Sequence, residues 1–235
     1  MYYIDIGNSF AKILHDGKLK TIETKDVIKF MKNKDNIIVS CVQQSTLNKI
    51  RKIYPDIKIL DNRIYDKLIN IDSDLIYKKG SDRIVAGFGA MSKYGDSVIV
   101  IDLGTTLTVD VFINRTYKSG YIFPGLNLLR QVLHNKVPQL PDVVLPISKT
   151  KDVVDTNDQI FWGHIYGMTG TINQLISIEQ EKYGKDIPII FSGGSINDFN
   201  QFLERNEIDK LFTFEYTVDS DIIFEAMRII DEKNI

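Results

Sequence analysis

The sequence has few residues of several chemically informative types, and each shortage excludes a class of protein. A single cysteine, Cys41, excludes an internal disulfide and indicates a reducing compartment. Because Cys41 lies inside the apolar run 37–42, we expect a buried and unreactive thiol rather than a nucleophile. The three histidines, His15, His134 and His164, do not have the spacing of a metal site.

Charge and hydropathy exclude two further classes of partner. The 29 basic and 31 acidic residues give a net charge of −2, which does not favour a nucleic-acid backbone or an anionic membrane. No apolar run approaches the length of a membrane span. The first strand pattern begins almost at Met1, so we expect no cleaved leader. We therefore expect a cytoplasmic protein that binds neither nucleic acid nor membrane.

A turn with unusual content lies in residues 97–112. A β-branched run reaches Asp102, Gly104 follows, and the hydroxyls of Thr105 and Thr106 precede a second β-branched run. A glycine lets the backbone approach a phosphate, N–H groups and hydroxyls bind phosphate oxygens, and a carboxylate binds a cation. For this stretch taken alone, an ordinary hairpin with a Gly-Thr-Thr turn is an equal alternative.

The same pattern occurs near the start of the chain, in residues 2–12. Here a β run leads to Asp5 and Gly7, and Asn8 and Ser9 form a polar turn before the second run. The duplicated D-x-G hairpin is a better signal than either copy, because a phosphate chain bound from both sides needs two such loops. We take the two hairpins as the organising feature of the chain.

Hydrophobic periodicity predicts an α/β protein made of two similar halves. The 235 residues are enough for two small domains, and each half has the pattern βββαβαβα. The predicted halves are residues 1–95 and 96–235. Further expectations concern single segments: an irregular stretch at 61–79, helices at 80–94, 157–183 and 196–206, and a strand at 211–216.

Two such hairpins in duplicated α/β halves resemble the superfamily of acetate and sugar kinases, the heat-shock-protein ATPase domain and actin. The resemblance implies ribonuclease-H-like halves with a nucleotide cleft between them. A glycine turn in the second half provides a third nucleotide contact in that superfamily, and the turn 192–194, Ser-Gly-Gly, lies in the corresponding place. Taken alone, this turn is only a tight connection.

Within that superfamily, nearly the whole sequence resembles the type III pantothenate kinases. The resemblance depends on five short motifs that occur in the family's order. They are D-x-G-N-[TS]-x-x-K at 5–12, G-x-D-R at 80–83, D-x-G-T-x-x-T-x-D at 102–110, G-x-I-x-P-G at 120–125, and a threonine followed by two glycines at Thr156, Gly163 and Gly167.

The resemblance implies transfer of the γ-phosphoryl group of ATP to the primary hydroxyl of pantothenate, the first step of coenzyme A biosynthesis. It makes Asp82 the general base and Arg83 the ligand of an anionic group, either the pantothenate carboxylate or a phosphate. The alternative for Ser81 or Asp82 is a helix cap, and the same alternative applies to Thr156. The implied substrate contacts are Gly80, Ser81, Asp82, Arg83 and Thr156.

The resemblance also implies an ATP site and a cation site. The implied ATP contacts are Asp5, Ile6, Gly7, Asn8, Ser9, Phe10, Ala11, Lys12 and Thr105. Asp102 is implied to hold a monovalent cation, K⁺ or NH₄⁺, while Mg²⁺ arrives with ATP. The alternative for such an acid is a turn residue with a local side-chain bond. Asp110 faces either the cleft or solvent.

Three points about pantothenate and partners complete the expectations. Tyr77 is a candidate for the aromatic residue of the pantothenate pocket, although the family's tyrosine stands farther upstream, where this chain has Ser73. The family forms homodimers, and the apolar helix around Trp162 and Tyr166 is a candidate interface. The rival functions are a transcription accessory or nucleotide-switch protein of the same fold, and another small-molecule kinase. The complete G-x-D-R motif argues against both.

Overall fold

The computed structural model describes residues 1–70, 80–143, 153–194 and 209–235. Their strands form two five-stranded sheets. The strands are β1 Tyr2–Ile6, β2 Phe10–His15, β3 Lys18–Glu23, β4 Ile37–Cys41, β5 Lys58–Leu60, β6 Val98–Leu103, β7 Thr106–Ile113, β8 Thr116–Pro124, β9 Ile189–Ser192 and β10 Thr217–Val218. The α-helices are α1 Val27–Met31, α2 Gln44–Ile53, α3 Asn62–Leu68, α4 Ser81–Tyr94, α5 Leu126–Lys136, α6 Thr156–Tyr183 and α7 Ile222–Glu232.

The two sheets have the same strand order. The first is ordered β3-β2-β1-β4-β5, and the second, read in the same sense, is β8-β7-β6-β9-β10. In the first sheet β1 is antiparallel to β2 and parallel to β4, and in the second β6 is parallel to β9. The duplication predicted from the two D-x-G hairpins is therefore confirmed.

Alternation along β1 separates the core of the first sheet from its polar face. Ile4 and Ile6 are fully buried in a cluster that includes residues of α1 and α2. Asp5, between them, points to the opposite face, where its partners in register are Lys12 of β2 and Ser40 of β4. Ile4 and Ile6 thus pack the strand into the core, and the Asp5 carboxylate lies on the other face of the sheet.

The described residues form two compact units that are discontinuous in sequence. One unit comprises Met1–Val98, Phe112–Ser119 and Asp221–Ile235, and the other comprises Ile99–Val111 and Gly120–Ser220. Helix α7 accordingly belongs to the first unit, where it packs against α4. Within the described ranges, no helix combines the length and the apolar character that a transmembrane span requires.

Helix α3 was not expected, because residues 61–79 show no regular pattern. Asp61 begins the helix as its N-cap, and its carboxylate accepts a hydrogen bond from the backbone N–H of Arg63 at 3.0 Å. Arg51 of α2 also donates to Asp61, at 2.8 Å. Burial alone would raise the pKa of Asp61, but the hydrogen bonds from Arg63 and Arg51 outweigh it and lower the pKa.

The predicted strand at 211–216 is wrong. The strand that pairs with β9 is the shorter Thr217–Val218, and the residues before it form an aromatic cluster. Phe212 and Tyr216 both pack on Phe191, with ring centroids 5.3 and 4.8 Å away. The alternating aromatic pattern therefore reflects side chains that gather around one ring, rather than the two faces of a strand. The helix expected at 196–206 lies outside the described residues.

Helix α4 contains glycines where other elements come close. A Cβ on Gly87 would lie 2.7 Å from Cε1 of Phe112, which is fully buried. A Cβ on Gly89 would lie 2.9 Å from the carbonyl carbon of Ile222, at the start of α7. The absence of side chains at these positions lets α7 and the Phe112 ring pack directly against the helix backbone.

The contact at Gly89 gives a stability prediction. Gly89→Ala places a methyl group against the backbone of Ile222, which cannot rotate away, so we expect the free energy of unfolding to fall by about 1–3 kcal/mol. The matched control is Gly170→Ala in α6, where, apart from the neighbouring residues and the backbone of the helix itself, no atom of the described residues lies within 4 Å of the added Cβ. The control should stabilise by about 0.5–1 kcal/mol. Urea denaturation measures both, and equal effects of the two substitutions would contradict the close packing.

Candidate functional site

The first hairpin loop, between β1 and β2, is held in shape by backbone hydrogen bonds and one threonine. The N–H of Gly7 donates to the carbonyl of Phe10 at 2.9 Å. Thr24, which is buried, donates its hydroxyl to the carbonyl of Gly7 at 2.9 Å and its N–H to the carbonyl of Ser9 at 3.0 Å. Thr24 belongs to none of the motifs, and it gives no local signal because it follows the next strand, β3.

The tip of the loop is exposed and its two flanking apolar residues are buried. Asn8, Ser9 and Phe10 are exposed. Ile6 and Ala11 are fully buried, so they support the loop from inside the core and their predicted contact with ATP stays a prediction. Lys12 pairs in register with Asp5 across the hairpin. The loop therefore combines an exposed amide and an exposed hydroxyl with one residue of each charge, which is suitable chemistry for a phosphate chain and its cation.

The G-x-D-R segment forms the start of α4. Gly80 is the N-cap and Asp82 lies in the first turn, so neither Ser81 nor Asp82 is the cap of this helix. A Cβ on Gly80 would lie 2.5 Å from Oδ1 of Asp82, so the glycine leaves room for that carboxylate. The same Oδ1 accepts a hydrogen bond from the N–H of Arg83 at 2.8 Å. The helix dipole favours the ionised form of an acid at this place.

Ser81 ties this helix start to the first sheet. Its side chain is buried, and its hydroxyl oxygen accepts a hydrogen bond from Ser40 of β4 at 3.3 Å. Ser40 is the register partner of Asp5. The first hairpin and the start of α4 are therefore linked through β4, and within this unit the structure brings Asp5, Ser40 and Ser81 to one face of the sheet.

Arg83 has a partner that the motifs do not contain. Its Nη2 donates to the phenol oxygen of Tyr117 in β8 at 3.0 Å. The two residues are 34 positions apart, and Tyr117 lies between two of the motifs in the sequence. A local pattern could not have indicated this contact.

The second hairpin, between β6 and β7, also begins its loop with a glycine, but its connection is shorter than that of the first hairpin. The N–H of Gly104 donates to the carbonyl of Thr106 at 3.0 Å, and Thr105 at the tip is exposed. Asp102 is half-buried near the end of β6, with Ser192 as its register partner in β9. The pairing brings the start of the predicted glycine turn beside the acid of the hairpin.

Two glycines from other motifs lie directly against this hairpin's backbone. The N–H of Gly125 donates to the carbonyl of Thr105 at 3.0 Å, and a Cβ on Gly125 would lie 2.7 Å from that same oxygen. Gly193 has a φ of +111°, and a Cβ there would lie 2.6 Å from the backbone nitrogen of Leu103. The G-x-I-x-P-G motif thus ends in glycine, and the Ser-Gly-Gly turn has glycine at its centre, because a side chain at either position would displace the hairpin.

Asp110 is buried, at 2% exposure, so the interpretation that it faces solvent is wrong. Its Oδ2 accepts a hydrogen bond from the hydroxyl of Thr108 at 3.2 Å. Thr108 and Asp110 are the last threonine and the last acid of the D-x-G-T-x-x-T-x-D motif. They form a buried polar pair in the middle of β7.

Tyr121, in the G-x-I-x-P-G motif, connects β8 to α6. Its hydroxyl donates to Oε1 of Glu179 at 2.6 Å, and Glu179 is fully buried. This hydrogen bond raises the pKa of Tyr121 to about 12. The contact holds the strand that leads into Gly125.

The remaining predicted site residues have mixed outcomes. Thr156 is exposed and is the first residue of α6, while the N-cap is Asp155, whose carboxylate accepts from the N–H of Asn157 at 2.8 Å. The helix-cap alternative for Thr156 is therefore wrong, and its substrate contact stays a prediction. Tyr77 lies outside the described residues. Cys41 is a buried free thiol, as expected, and burial raises its pKa to about 11.

The donors beside the second hairpin fit a hard cation. They are oxygen atoms: the Asp102 carboxylate and the hydroxyls of Thr105, Thr106 and Ser192. In the described ranges, histidine, cysteine and acidic side chains do not gather in groups of three or more. The site therefore suits K⁺ or a nucleotide-borne Mg²⁺ better than a transition metal.

Solved structures show the same fold. The chain aligns over its full length with 98% of a protein from Campylobacter jejuni described as a conserved putative Baf family transcriptional activator, at 24% identity and a TM-score of 0.67. It also aligns over 99% of its length with 96% of MreB 5 of Spiroplasma citri bound to AMPPNP, at 9% identity and a TM-score of 0.52. At these identities the likeness shows the fold alone, which is the actin-like fold expected from the two hairpins.

Sequence relatives show more than the fold. The chain is 29% identical over 200 residues to the type III pantothenate kinase of Thermosipho africanus, which covers 85% of this chain and 76% of that protein. The sequence profile of the type III pantothenate kinases matches residues 1–178. Because this match includes both hairpins and the G-x-D-R helix start and spans well over half of the chain, the chain belongs to the type III pantothenate kinase family.

Proposed function

We propose that this chain transfers the γ-phosphoryl group of ATP to the primary hydroxyl of pantothenate, giving 4′-phosphopantothenate for coenzyme A biosynthesis. The observation that carries the proposal is the start of α4, where Gly80 leaves space for the Asp82 carboxylate. The phosphate hairpins are shared across the superfamily, whereas this acid is the group that the acceptor hydroxyl needs. Family membership supports the choice of pantothenate as the acceptor.

In the proposed reaction, Asp82 accepts the proton of the pantothenate hydroxyl while the hydroxyl oxygen bonds to the γ-phosphorus. The bond between that phosphorus and the β,γ-bridging oxygen breaks, and ADP leaves with the electron pair. The carboxylate lies in the first turn of α4, where the positive end of the helix dipole is favourable to negative charge. Arg83 binds an anionic group of a substrate through its planar guanidinium.

ATP is bound in this proposal by the backbone and polar side chains of the two hairpins, residues 5–12 and Thr105. Asp102 holds a monovalent cation, with hydroxyl oxygens of its neighbours as further donors. When bound, the cation and the Mg²⁺ of ATP neutralise charge on the phosphates. Support for these assignments comes from the loop geometry and from the all-oxygen donor set.

The proposal includes a homodimer that acts in the cytoplasm, where ATP is available. Helix α6 supports the dimer, because Tyr166 is 48% exposed and lies beside the exposed glycines 163 and 167. Thr156, at the exposed start of the same helix, is proposed as a substrate contact. Such a face can pack closely against a second copy, since glycine lets helix backbones approach each other.

The role of Asp82 gives the first test of the function. Asp82→Asn cannot accept the hydroxyl proton, so we expect the pantothenate-dependent turnover to fall by a factor of about 10² to 10⁴. A coupled assay of ADP release measures it, with ATP, Mg²⁺ and K⁺, with and without pantothenate. The control is Asp66→Asn on the exposed side of α3, which should keep the wild-type rate. Turnover that is independent of pantothenate, or an active Asp82→Asn variant, would refute the proposal.

Substitutions at Gly104 and Gly125 distinguish a glycine that leaves space for a ligand from a glycine that the fold requires. A Cβ on Gly104 makes only ordinary contacts, the nearest at 3.4 Å to Asp102, so Gly104→Ala should keep its stability but raise the KM for ATP by about tenfold because the methyl group occupies ligand space. Gly125→Ala should instead lower the free energy of unfolding by about 1–3 kcal/mol, because its methyl group meets the backbone of the hairpin. An unchanged KM for ATP in Gly104→Ala would show that phosphates do not approach this loop.

The monovalent cation is tested by ion replacement at constant ionic strength. If Asp102 holds K⁺, then replacing K⁺ by Na⁺ should lower the wild-type turnover by about tenfold, and Asp102→Asn should remove the difference between the ions. The control Asp186→Asn changes an exposed acid of the same unit and should keep the K⁺ dependence. Equal wild-type rates in the two salts would take this role away from Asp102.

A further inference from the structure

We infer that Tyr117 is a positioning residue, which orients the guanidinium of Arg83 toward an anionic group of a substrate. The inference rests on the proposed function, since Arg83 belongs to the G-x-D-R motif. The direct observation is the hydrogen bond from Nη2 of Arg83 to the phenol oxygen of Tyr117, at 3.0 Å. The family motifs do not include Tyr117, and it lies in β8, between the second phosphate hairpin and the G-x-I-x-P-G motif.

The backbone of Tyr117 is fixed from outside its own strand. Its N–H donates to the carbonyl of Asn70 at 3.0 Å, and the N–H of Asn70 donates to the carbonyl of Arg115 at 2.7 Å. These bonds form an isolated parallel bridge between Asn70 and Thr116. The start of β8 is therefore bonded to the chain that follows α3, which sets the position of the Tyr117 Cα atom.

The ring of Tyr117 is fixed by the core. It packs edge-to-face on Phe112, with centroids 5.4 Å apart and an interplanar angle of 79°. Phe112 is fully buried and lies directly over Gly87, four residues after Arg83 in α4. A ring that is held at its backbone and its face points its hydroxyl in a defined direction. The phenol oxygen that accepts the hydrogen bond from Arg83 is therefore held in a fixed position.

A phenol is a suitable group for this task. Its oxygen accepts a hydrogen bond from one guanidinium nitrogen and carries no charge, so it orients the planar fork without competing as an anion. A guanidinium fork binds a carboxylate or a phosphate through two parallel hydrogen bonds, and small rotations of the fork weaken that geometry. Fixing one Nη atom therefore favours binding by the rest of the group.

The test is Tyr117→Phe, which removes only the hydroxyl. We expect the KM of one substrate to rise by about 3- to 10-fold, the loss of one hydrogen bond, while kcat stays within about twofold. A higher KM for pantothenate assigns the Arg83 ligand to the pantothenate carboxylate, and a higher KM for ATP assigns it to a phosphate. The matched control is Tyr3→Phe, which loses a hydroxyl bonded to Asp231 at 3.4 Å in the same unit and should leave both KM values unchanged.

A double-mutant cycle shows whether Tyr117 acts through Arg83. In an Arg83→Ala background, Tyr117→Phe should have no further effect on either KM, because the group that it orients is absent. Unchanged KM values in the single variant, or an equal rise in both backgrounds, would overturn the inference. A purely structural role would instead lower the melting temperature and leave this coupling at zero.

A measurement without substrates keeps this inference separate from the proposed function. In the wild-type protein, the hydrogen bond should slow rotation of the Arg83 guanidinium about its Nε–Cζ bond, so that NMR of ¹⁵N-labelled arginine shows two distinct Nη signals. In Tyr117→Phe the exchange between these signals should be faster than in the wild type, and Arg83→Lys assigns them. Identical spectra for the wild type and Tyr117→Phe would overturn the positioning role. A wild type without pantothenate-dependent turnover would refute only the function.

Discussion

The second hairpin depends on backbone contacts that exclude side chains. Gly125 and Gly193 approach the backbone of residues 103–105 from two other segments of the chain, and each would clash if it carried a Cβ. Three segments that are far apart in sequence therefore pack together around this hairpin. The acid and the hydroxyls of the loop are held at defined positions because the surrounding backbone segments are closely packed.

The first hairpin is supported by a different kind of contact. Here the hydroxyl groups of Thr24 and Ser40 support the loop and the start of α4 through hydrogen bonds. Because each of these hydroxyls is buried and paired, its removal would cost the loop or the helix start one internal hydrogen bond. The two halves of the molecule thus share a strand order, but they stabilise their loops by hydrogen bonding in one case and by glycine contacts in the other.

The parts of the fold that were predictable are those that local patterns encode. Alternation along the strands, the D-x-G turns and the helix from residue 81 follow from neighbours in sequence, and the structure confirms them. Helix α3 was missed because part of its support, the bond from Arg51 to Asp61, comes from another helix. The contact between Arg83 and Tyr117 was missed for the same reason, since their separation of 34 residues leaves no local trace.

The wrong expectations also have local causes. An alternating aromatic pattern at 211–216 has the period of a strand, yet Phe212 and Tyr216 pack on one ring. Threonine is a common cap residue, but Asp155 precedes Thr156, and its carboxylate accepts the hydrogen bond from the N–H of Asn157. In the first case the aromatic side chains pack on a ring of another strand, and in the second case the residue one position earlier is the cap.

The discontinuous first unit has a consequence for synthesis on the ribosome. Helix α4, which begins with Asp82 and Arg83, packs against α7, and α7 is translated after every other element of that unit. A nascent chain that already contains both hairpins and the G-x-D-R segment therefore lacks the packing partner of its proposed catalytic helix. A chain interrupted before residues 222–232 therefore contains all five motifs but lacks the helix that packs against α4.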